Sequence, residues 1–270
     1  QRTASGKLMT ALGLPPYEAP YRPLFPLSSY ALAADRHMTQ FGTTREQLAD
    51  VAVAARAWAQ KNPEAFLRDP LTREDVIASR LVSDPLRVRD CCLVTDGGGA
   101  IVMRRAEAAK DHPKPPVYLL GGGEGTTHRD ISEMADLTET GAVQSGQTAM
   151  EMAGVKPADI DVVQLYDAFT INVILFLEDL GFCKKGEGGA FVENGGIAPG
   201  GHLPVNTNGG GLSCVHPGMY GIFTLVEAVR QLRGDAGDRQ IDGAELAMAH
   251  GNGGVLSSQV TNILGTESTL

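Results

Sequence analysis

The sequence predicts an α/β protein in which helices and strands alternate along the chain and pack in layers. Short apolar runs of strand length, such as residues 162–166, alternate with longer segments whose apolar residues recur at helical spacing. Glycine is abundant, with 33 in 270 residues, while aromatic residues make up 6%, which suits a fold with many tight turns. Three clusters of polar residues lie in predicted turns, and open α/β folds assemble their sites from such turns at strand ends.

The composition limits which class of protein the chain can belong to and which kinds of partner its surface can bind. A hydrophobic content of 43% and a charged content of 20% are typical of a soluble globular protein. The formal net charge of −9 argues against nucleic acid or an anionic membrane as a partner of the whole surface. No run of about 18 apolar residues occurs, so we expect no transmembrane helix and a cytoplasmic location.

The four cysteines are expected to be reduced. None of them forms a CxxC pair, and a chain of 270 residues does not depend on disulfides for its core. Cys91 and Cys92 are adjacent, and we interpret them as small buried apolar side chains rather than as reactive thiols.

Residues 1–90 are predicted to form an α-rich segment. Residues 1–35 carry several prolines and are expected to be ordered but irregular. Thr43 or Thr44 is predicted to cap a helix that ends before an Asn-Pro pair, and Thr72 is predicted to begin a second, shorter helix.

From Cys91 onward the pattern changes to alternating strands and helices. Each apolar segment is assigned by its length, its periodicity and its flanking glycines. The predicted elements are a strand at 100–103 after the glycines 97–99, a strand at 117–120 ending in a glycine turn at 121–125, a helix at about 140–154, a strand at 162–166, a helix at 168–180, a helix at 222–232, a strand at 244–248 and a further strand within 255–264.

The stretch 206–221 is the most informative candidate for part of a site. The three glycines 209–211 allow the backbone to come close to a ligand. His216 follows them, and an imidazole suits acid–base work near neutral pH. The alternative is that His216 only stabilises its own loop. From this stretch we expect two catalytic residues, His216 and Tyr220, and two substrate-binding residues, Asn206 and Asn208.

Two further turns are predicted to contribute to the same site. Tyr166 begins a Tyr-Asp-Ala-Phe-Thr motif, and His250 begins a His-Gly-Asn-Gly-Gly motif, each at the end of a predicted strand. We expect both residues to be catalytic and Gly253 to contact substrate, because tyrosine, histidine and amide groups form an acid–base and oxyanion-stabilising set. Each also has a structural interpretation, as a core tyrosine with a bonded hydroxyl and a core histidine with satisfied nitrogens.

No metal site and no permanently bound cofactor are predicted. No pair of candidate ligands has the spacing of a metal site. The remaining histidines have no glycine-rich setting, and we assign them structural or surface positions; they are His37, His112, His128 and His202.

The three motifs, in this order, resemble the C-terminal part of a thiolase-superfamily protein, in the branch named after lipid-transfer-protein (sterol-carrier-protein) thiolases. The Tyr166 motif occupies the place of the family's Asn-Glu-Ala-Phe-Ala motif. The segment with His216-Pro217 resembles its Gly-His-Pro-x-Gly motif, and the His250 motif takes the place of Cys-x-Gly-Gly-Gly. The resemblance covers nearly the whole chain.

The resemblance implies a five-layered αβαβα fold whose N-terminal part is incomplete in this chain. Residues 1–90 then resemble the family's loop domain, 91–135 the end of its N-terminal half, and 136–270 its C-terminal domain. A homodimer is implied, acting on an acyl-CoA substrate, with coenzyme A as a substrate or product moiety.

The resemblance also implies roles for individual residues. In such thiolases a cysteine from the N-terminal half is acylated, a histidine activates it, and a second cysteine moves the proton at the substrate carbon. His216 matches the histidine, His250 stands at the place of the second cysteine, and Tyr166 stands at that of an asparagine. The nucleophilic cysteine is expected to lie before Gln1.

Three functions stay open at this point. The first is thiolase-type acyl transfer, with His216 and His250 as the acid–base groups. The second is retro-aldol cleavage of a β-hydroxyacyl-CoA, with Tyr166 and Tyr220 as the proton-transfer pair. Steroid side-chain aldolases of this superfamily work with an OB-fold, zinc-ribbon subunit of the DUF35 type, which implies a heterotetramer. The third is a non-catalytic lipid or acyl-CoA carrier, because one fold hosts many functions.

Overall fold

The computed structural model describes residues 16–270, so the first fifteen residues of the expected irregular segment lie outside the described residues. A 3-10 turn, Ala19–Tyr21, comes first, and helix α1 runs over Leu27–Phe41. The expectation of irregular structure up to residue 35 is therefore wrong from Leu27 onward. The prolines stop at Pro26, and the residues that follow include three alanines and neither Pro nor Gly, so nothing opposes a helix there.

Two predicted helices complete the α-rich segment. Helix α2 is Arg45–Gln60 and helix α3 is Arg73–Ala78, and each begins with a capping box, in which Thr44 pairs with Gln47 and Thr72 with Asp75. A short antiparallel pair follows, formed by β1 (Leu81–Ser83) and β2 (Leu86–Arg87). Both helices are confirmed, whereas the boundary of this segment as a domain stays a prediction.

A four-stranded mixed sheet forms the centre of the molecule. Its strands are β3 (Tyr118–Thr126), β4 (Val162–Leu165), β5 (Leu246–Gly253) and β6 (Ser258–Gly265), in the order β3-β6-β5-β4. Only β4 and β5 are parallel; the other pairs are antiparallel. Because the parallel pair ends at one edge of the sheet, the turn after β4 lies beside the end of β5.

Helices cover both faces of this sheet. Helices α4 (Ala142–Ala153) and α5 (Thr170–Asp179) lie on one face, and α7 (Gly221–Leu232) lies on the other. Side chains alternate accordingly: Met248 packs in the main core with α5, while Ala247 and Ala249 pack with residues of α7. A short helix, α6 (Gly188–Val192), lies between α5 and α7 in the sequence. The predicted α/β layering is confirmed.

The strand predicted at 100–103 is not formed. Residues 92–105 contain no helix or strand, and Val102 is 85% exposed. The apolar pattern of the segment suits a strand, but a strand also needs a neighbour that supplies backbone hydrogen bonds. No strand of the described residues runs beside it, so this prediction is wrong.

Two predicted strands are longer than their apolar runs. Strand β3 continues through the glycines 121–125, where we expected a turn, because β6 pairs with each of them. Strand β5 continues to Gly253, so His250 lies inside a strand and not in a turn. In both cases backbone pairing with β6 extends the strand beyond the residues whose side chains indicated it.

The glycines of β3 let helix α4 lie directly on the sheet. A Cβ on Gly121, Gly123 or Gly125 would overlap a backbone carbonyl oxygen of α4 or of the residue that precedes it. Backbone therefore packs against backbone at this contact. Within residues 16–270 no helix is both long enough and apolar enough to cross a membrane.

Candidate active site

A cleft of about 1280 Å³ opens where the ends of β4 and β5 meet the α-rich segment. Much of its wall is apolar, with Val94, Met219 and Val260 among the lining residues. Of the seven residues predicted for the site, the cleft brings together Tyr166, His216 and Gly253. It adds four that the sequence did not select, namely Tyr30, Cys91, Cys92 and Asn252.

Tyr166 stands directly after β4, at the edge where β4 and β5 both end. Its hydroxyl donates to the carbonyl oxygen of Gly218 at 3.3 Å, and the side chain is largely buried. Burial raises the pKa of Tyr166 to about 12, and the neighbouring Tyr30 adds to this effect. Tyr166 is therefore a protonated hydrogen-bond donor at neutral pH.

The glycines before His216 form a single π-helical turn, Gly210–Cys214. Asp167 is fully buried against this turn and accepts from the backbone N–H of Gly211 at 2.6 Å and of Leu212 at 3.3 Å. Burial raises the pKa of Asp167 to about 7, although these bonds oppose the rise. A Cβ on Gly210 would overlap the Asp167 carboxylate, so the turn and the carboxylate fit together only with glycine there.

His216 follows the π-helical turn and packs between two tyrosines. Its ring meets Tyr166 edge-on at 5.4 Å and is stacked with Tyr220 at 5.9 Å. Burial lowers the pKa of His216 to about 4, and a hydrogen bond of the ring to its own backbone raises it by a smaller amount. Nε2 is buried and has no hydrogen-bond partner among the described residues.

Three of the predicted site residues lie behind the cleft wall. Tyr220 is fully buried and donates its hydroxyl to Asn208 Oδ1 at 3.0 Å. The same oxygen accepts from Gly210 N at 2.7 Å. Asn206 Oδ1 accepts from Leu165 N at 2.6 Å, which ties the loop to β4. In this arrangement these side chains hold the loop that carries His216, and none of them lines the cleft.

His250 is also turned away from the cleft. It is fully buried in β5, with its ring 4.6 Å from that of Phe176. Thr261 Oγ1 lies 2.9 Å from Nδ1, and Gln259 Oε1 lies 3.0 Å from Nε2. Burial lowers the pKa of His250 to about 4. The alternation of a strand continuing through residues 249–253 is the sequence signal that places this side chain inside.

Tyr30 and Asn252 reach the cleft but were not selected from the sequence. Tyr30 comes from α1, where its ring lies 4.4 Å from that of Phe169, and its hydroxyl accepts from Asn252 Nδ2 at 2.9 Å. Asn252 stood inside a predicted motif, of which only the first residue and one glycine were chosen. Tyr30 had no signal of its own, because its segment was expected to be irregular.

No metal centre is formed within residues 16–270. No group of three or more His, Cys, Asp or Glu side chains in that range lies close enough together to hold an ion. The polar groups that line the cleft are hydroxyls, amides, thiols, one imidazole and the guanidinium of Arg80, which suit proton transfer and hydrogen bonding.

Comparison with known proteins assigns the chain to a family. The thiolase C-terminal domain-like family matches residues 123–266, more than half of the chain. The chain belongs to the thiolase family. Strands β4 to β6, the π-helical turn and helix α7 all lie within the matched thiolase region.

The relatives of this thiolase-family chain carry out different reactions. An acetyl-CoA acetyltransferase of Methanothermobacter thermautotrophicus is 41% identical over 92% of the chain and 65% of its own length. A steroid side-chain-cleaving aldolase of Thermomonospora curvata is 37% identical over 84% of the chain and 59% of its own length. A solved structure of an Ltp2-ChsH2(DUF35) aldolase matches with a TM-score of 0.86 and 34% identity, over 93% of this chain and 66% of that one. The chain thus spans less than two thirds of the length of these relatives.

The cysteines of this thiolase-family chain are held as thiols. Cys91 and Cys92 are partly exposed and line the cleft, so the expectation that they are simply buried is wrong for their position. Burial raises the pKa of Cys91 to about 12 and that of Cys92 still further. Burial also raises the pKa of Cys183 and of Cys214 to about 12. The interpretation of the adjacent pair as unreactive agrees with these values.

Proposed function

We propose that the cleft binds an acyl-CoA and that its residues move protons while a carbon–carbon bond next to the thioester is broken or made. The observation that carries this proposal is the pairing of Tyr166 with His216, whose Nε2 is unpartnered among the described residues. The relatives named as an acetyl-CoA acetyltransferase and as a steroid side-chain-cleaving aldolase support the substrate class. The apolar cleft wall suits an acyl group.

His216 is the general base in this proposal. Its Nε2 has no partner among the described residues, and in the tautomer with the proton on Nδ1 it can accept a proton; because its pKa is about 4, the ring stays neutral throughout the physiological pH range. Tyr166 is the matching donor, since its raised pKa keeps the phenol protonated, and a substrate oxygen would replace the Gly218 carbonyl as its acceptor. The two rings stand edge-on, so that one substrate oxygen can face the base while another faces the donor.

Retro-aldol cleavage is the reaction that the described residues support best. His216 removes the proton of the β-hydroxyl, the bond between Cα and Cβ breaks, and its electrons pass to the thioester as an enolate. Protonation of the enolate carbon then gives a ketone or aldehyde and a shortened acyl-CoA. None of these steps requires a nucleophilic thiol.

Thiolase-type acyl transfer is the second candidate, favoured by the relative at 41% identity. It requires a thiolate, whereas all four cysteines have pKa values at or above about 12. For this reaction His216 would activate a thiolate that these four side chains do not supply. Acyl transfer therefore depends on the cysteine expected before Gln1, whereas retro-aldol cleavage can be written with the described residues alone.

The roles predicted for Tyr220, His250, Asn206 and Asn208 are revised within this proposal. Tyr220 and the two asparagines support the loop of His216, since their polar atoms bind one another and the backbone. The proposal keeps Gly253 as a cleft residue. A homodimer, a cytoplasmic location and a DUF35-type partner remain part of the proposal, the last supported by the solved structure described as an Ltp2-ChsH2(DUF35) aldolase.

Activity measurements separate these functions. β-Hydroxyacyl-CoA and β-ketoacyl-CoA substrates are each incubated with the protein, together with any subunit that copurifies with it, and carbonyl product and free CoA are measured. Cleavage of the hydroxyacyl substrate without consumption of CoA supports retro-aldol chemistry. CoA-dependent cleavage of the ketoacyl substrate supports acyl transfer instead, and binding without product from either supports a carrier.

The site assignment is tested by substitution in the same assay. His216→Ala is expected to lower kcat by about 100-fold or more, the usual loss when a general base is removed. Tyr166→Phe is expected to lower kcat as well, because it deletes only the hydroxyl. His112→Ala and Tyr21→Phe alter exposed residues of the same types and should leave kcat unchanged. Unaltered turnover in His216→Ala would contradict the assignment.

A further inference from the structure

A continuous chain of hydrogen bonds runs from helix α4, through strands β6 and β5, to the cleft. Each link lies within ordinary hydrogen-bond distance, and most of the groups are buried. In order, the links are Ser145 Oγ to Thr261 Oγ1 at 2.8 Å, Thr261 Oγ1 to His250 Nδ1 at 2.9 Å, His250 Nε2 to Gln259 Oε1 at 3.0 Å, Gln259 Nε2 to Asn252 Oδ1 at 2.9 Å, and Asn252 Nδ2 to Tyr30 Oη at 2.9 Å.

One backbone carbonyl fixes the direction of the chain. Gln259 Nε2 also lies 3.1 Å from the carbonyl oxygen of Leu256, which can only accept. The amide nitrogen of Gln259 therefore faces both Leu256 and Asn252. Asn252 must present its oxygen to Gln259, which leaves its Nδ2 to donate to Tyr30.

The same orientation fixes the tautomer of His250. Gln259 Oε1 faces the ring and can only accept, so His250 carries its proton on Nε2. With a pKa of about 4 the ring is neutral, and its unprotonated Nδ1 accepts from Thr261. His250 thus holds the Gln259 amide in one orientation, although it lies away from the cleft.

At the cleft end, Tyr30 has one hydroxyl proton to donate. Its oxygen accepts from Asn252, so its O–H must find another acceptor. Two groups lie beside it: the carbonyl oxygen of Gly254 at 3.4 Å, beyond the range of a good O–H···O bond, and the buried side-chain amide of Asn172, which has no other hydrogen-bond partner among the described residues. Burial raises the pKa of Tyr30 to about 12, so the proton stays in place, and the ring is held against Phe169.

We propose that the Tyr30 hydroxyl donates a hydrogen bond to the thioester carbonyl oxygen of the bound ligand. Tyr30 would then stabilise the enolate oxygen that forms during cleavage, since a donor fixed in advance favours developing charge. Asn252, Gln259 and His250 are positioning residues that act through the directed chain. The identity of the ligand rests on the proposed function, whereas the direction of the chain rests on the hydrogen bonds alone.

Ligand binding tests this proposal without requiring turnover. Dissociation constants are measured by calorimetry for an acyl-CoA thioester and for the matched alkyl-CoA thioether, which lacks the carbonyl oxygen. The wild-type protein is expected to favour the thioester. Tyr30→Phe should reduce that preference about fivefold to tenfold, the value of one hydrogen bond. Tyr21→Phe is the control, because Tyr21 is 85% exposed and does not line the cleft.

A second variant separates donation from a purely structural role of Tyr30. Asn252→Asp keeps the size of the side chain but replaces the donor by an acceptor, so the Tyr30 proton turns inward. The preference for the thioester should fall as in Tyr30→Phe; because Asn252 itself lines the cleft, the ratio of the two dissociation constants is compared rather than either constant alone. Melting temperatures establish that both variants are folded.

The two proposals fail in different ways. If the wild-type protein binds both ligands equally, or if Tyr30→Phe retains the preference, the role of Tyr30 is overturned. If the preference depends on Tyr30 but no substrate is cleaved, the proposed function fails while the hydrogen bond to the ligand stands.

Discussion

Gly210 and Asp167 together decide where His216 stands. Gly210 has φ +65°, and there is no room for a Cβ between its backbone and the Asp167 carboxylate. The carboxylate in turn holds the next two backbone N–H groups of the π-helical turn. The position of the imidazole therefore depends on a buried contact that does not itself touch the cleft.

Substitution of two glycines separates the effect of the contact between Gly210 and Asp167 on stability from the effect of backbone strain. Gly218 also has a positive φ, of +95°, but a Cβ there would meet nothing within 4 Å. Gly218→Ala should therefore lower the free energy of unfolding by about 1–2 kcal/mol from strain alone. Gly210→Ala should cost clearly more, because the methyl group also displaces Asp167, and kcat should fall with it. Equal losses of stability, measured by urea unfolding, would contradict the role given to this contact.

At the level of elements, a buried ionic cluster joins α1 to α5. Both carboxylate oxygens of Glu178 lie 3.0 Å from Nε2 of His37, and Lys185 lies 3.2 Å from the same carboxylate. Burial alone raises the pKa of Glu178, but its bonds and charges with His37 and Lys185 outweigh that and leave the pKa lowered. The α-rich segment is thus fixed to the sheet domain by charge as well as by apolar packing.

Removal of this carboxylate should loosen the contact between the two helices. Glu178→Gln removes the carboxylate that His37 shares with Lys185, while Lys185 keeps Asp179, so we expect a loss of about 3 kcal/mol, at the lower end for a buried pair. The control is Glu46→Gln, at an exposed position in the first turn of α2, where a change within about 0.5 kcal/mol is expected. Urea unfolding at pH 7 measures the free energy of unfolding of both variants. Similar midpoints for the two variants would contradict the role of the ionic cluster in joining α1 to α5.

The elements that the sequence predicted correctly contain local sequence patterns that mark where they begin. Helices α2 and α3 begin at Thr44 and Thr72, whose capping boxes are visible in four consecutive residues. The extended parts of β3 and β5 depend instead on pairing with β6, a contact between distant parts of the chain. Local pattern cannot show such pairing, which is also why residues 100–103 were wrongly predicted as a strand.

For the molecule as a whole, the sequence predicted those cleft residues that follow elements with a clear sequence pattern. Tyr166 and His216 follow elements with clear signals, so the motifs that carry them could be recognised. Tyr30 reaches the cleft only because α1 packs beside Phe169. No pattern in the sequence around Tyr30 predicts that contact. His250 was expected in a turn but lies within β5, because that strand is longer than its apolar run.

Stability of the whole molecule should fall in mild acid. His216 and His250 have pKa values of about 4 in the folded protein, against about 6.5 in the unfolded chain. Between these values the unfolded chain binds protons that the folded protein excludes, so stability is full above pH 6.5 and is lost as the pH falls towards 4. Each ring contributes on the order of 3 kcal/mol to this loss.

Asp167 acts in the opposite direction over a similar range. Its pKa of about 7 exceeds that of an unfolded carboxylate, so the folded protein gains stability as the pH falls from 7 towards 4. Two histidines outweigh one carboxylate, and the net slope should be a loss. His250→Gln should flatten the dependence of the unfolding free energy on pH between 6.5 and 4. A slope as steep as that of the wild-type protein would rule out a titrating His250 as its source.

The glycines of β3 have a consequence for how this molecule can change. Since α4 rests directly on the strand backbone, the thickness of that layer is fixed by atoms common to every amino acid and not by side chains. Ser145, at the far end of the chain of hydrogen bonds, sits on this helix and faces one of the glycines. A methyl group added to Gly123 would therefore lift the first link of a chain that ends at Tyr30. Gly123, which does not line the cleft, is thereby linked to Tyr30 through helix α4 and the chain of hydrogen bonds.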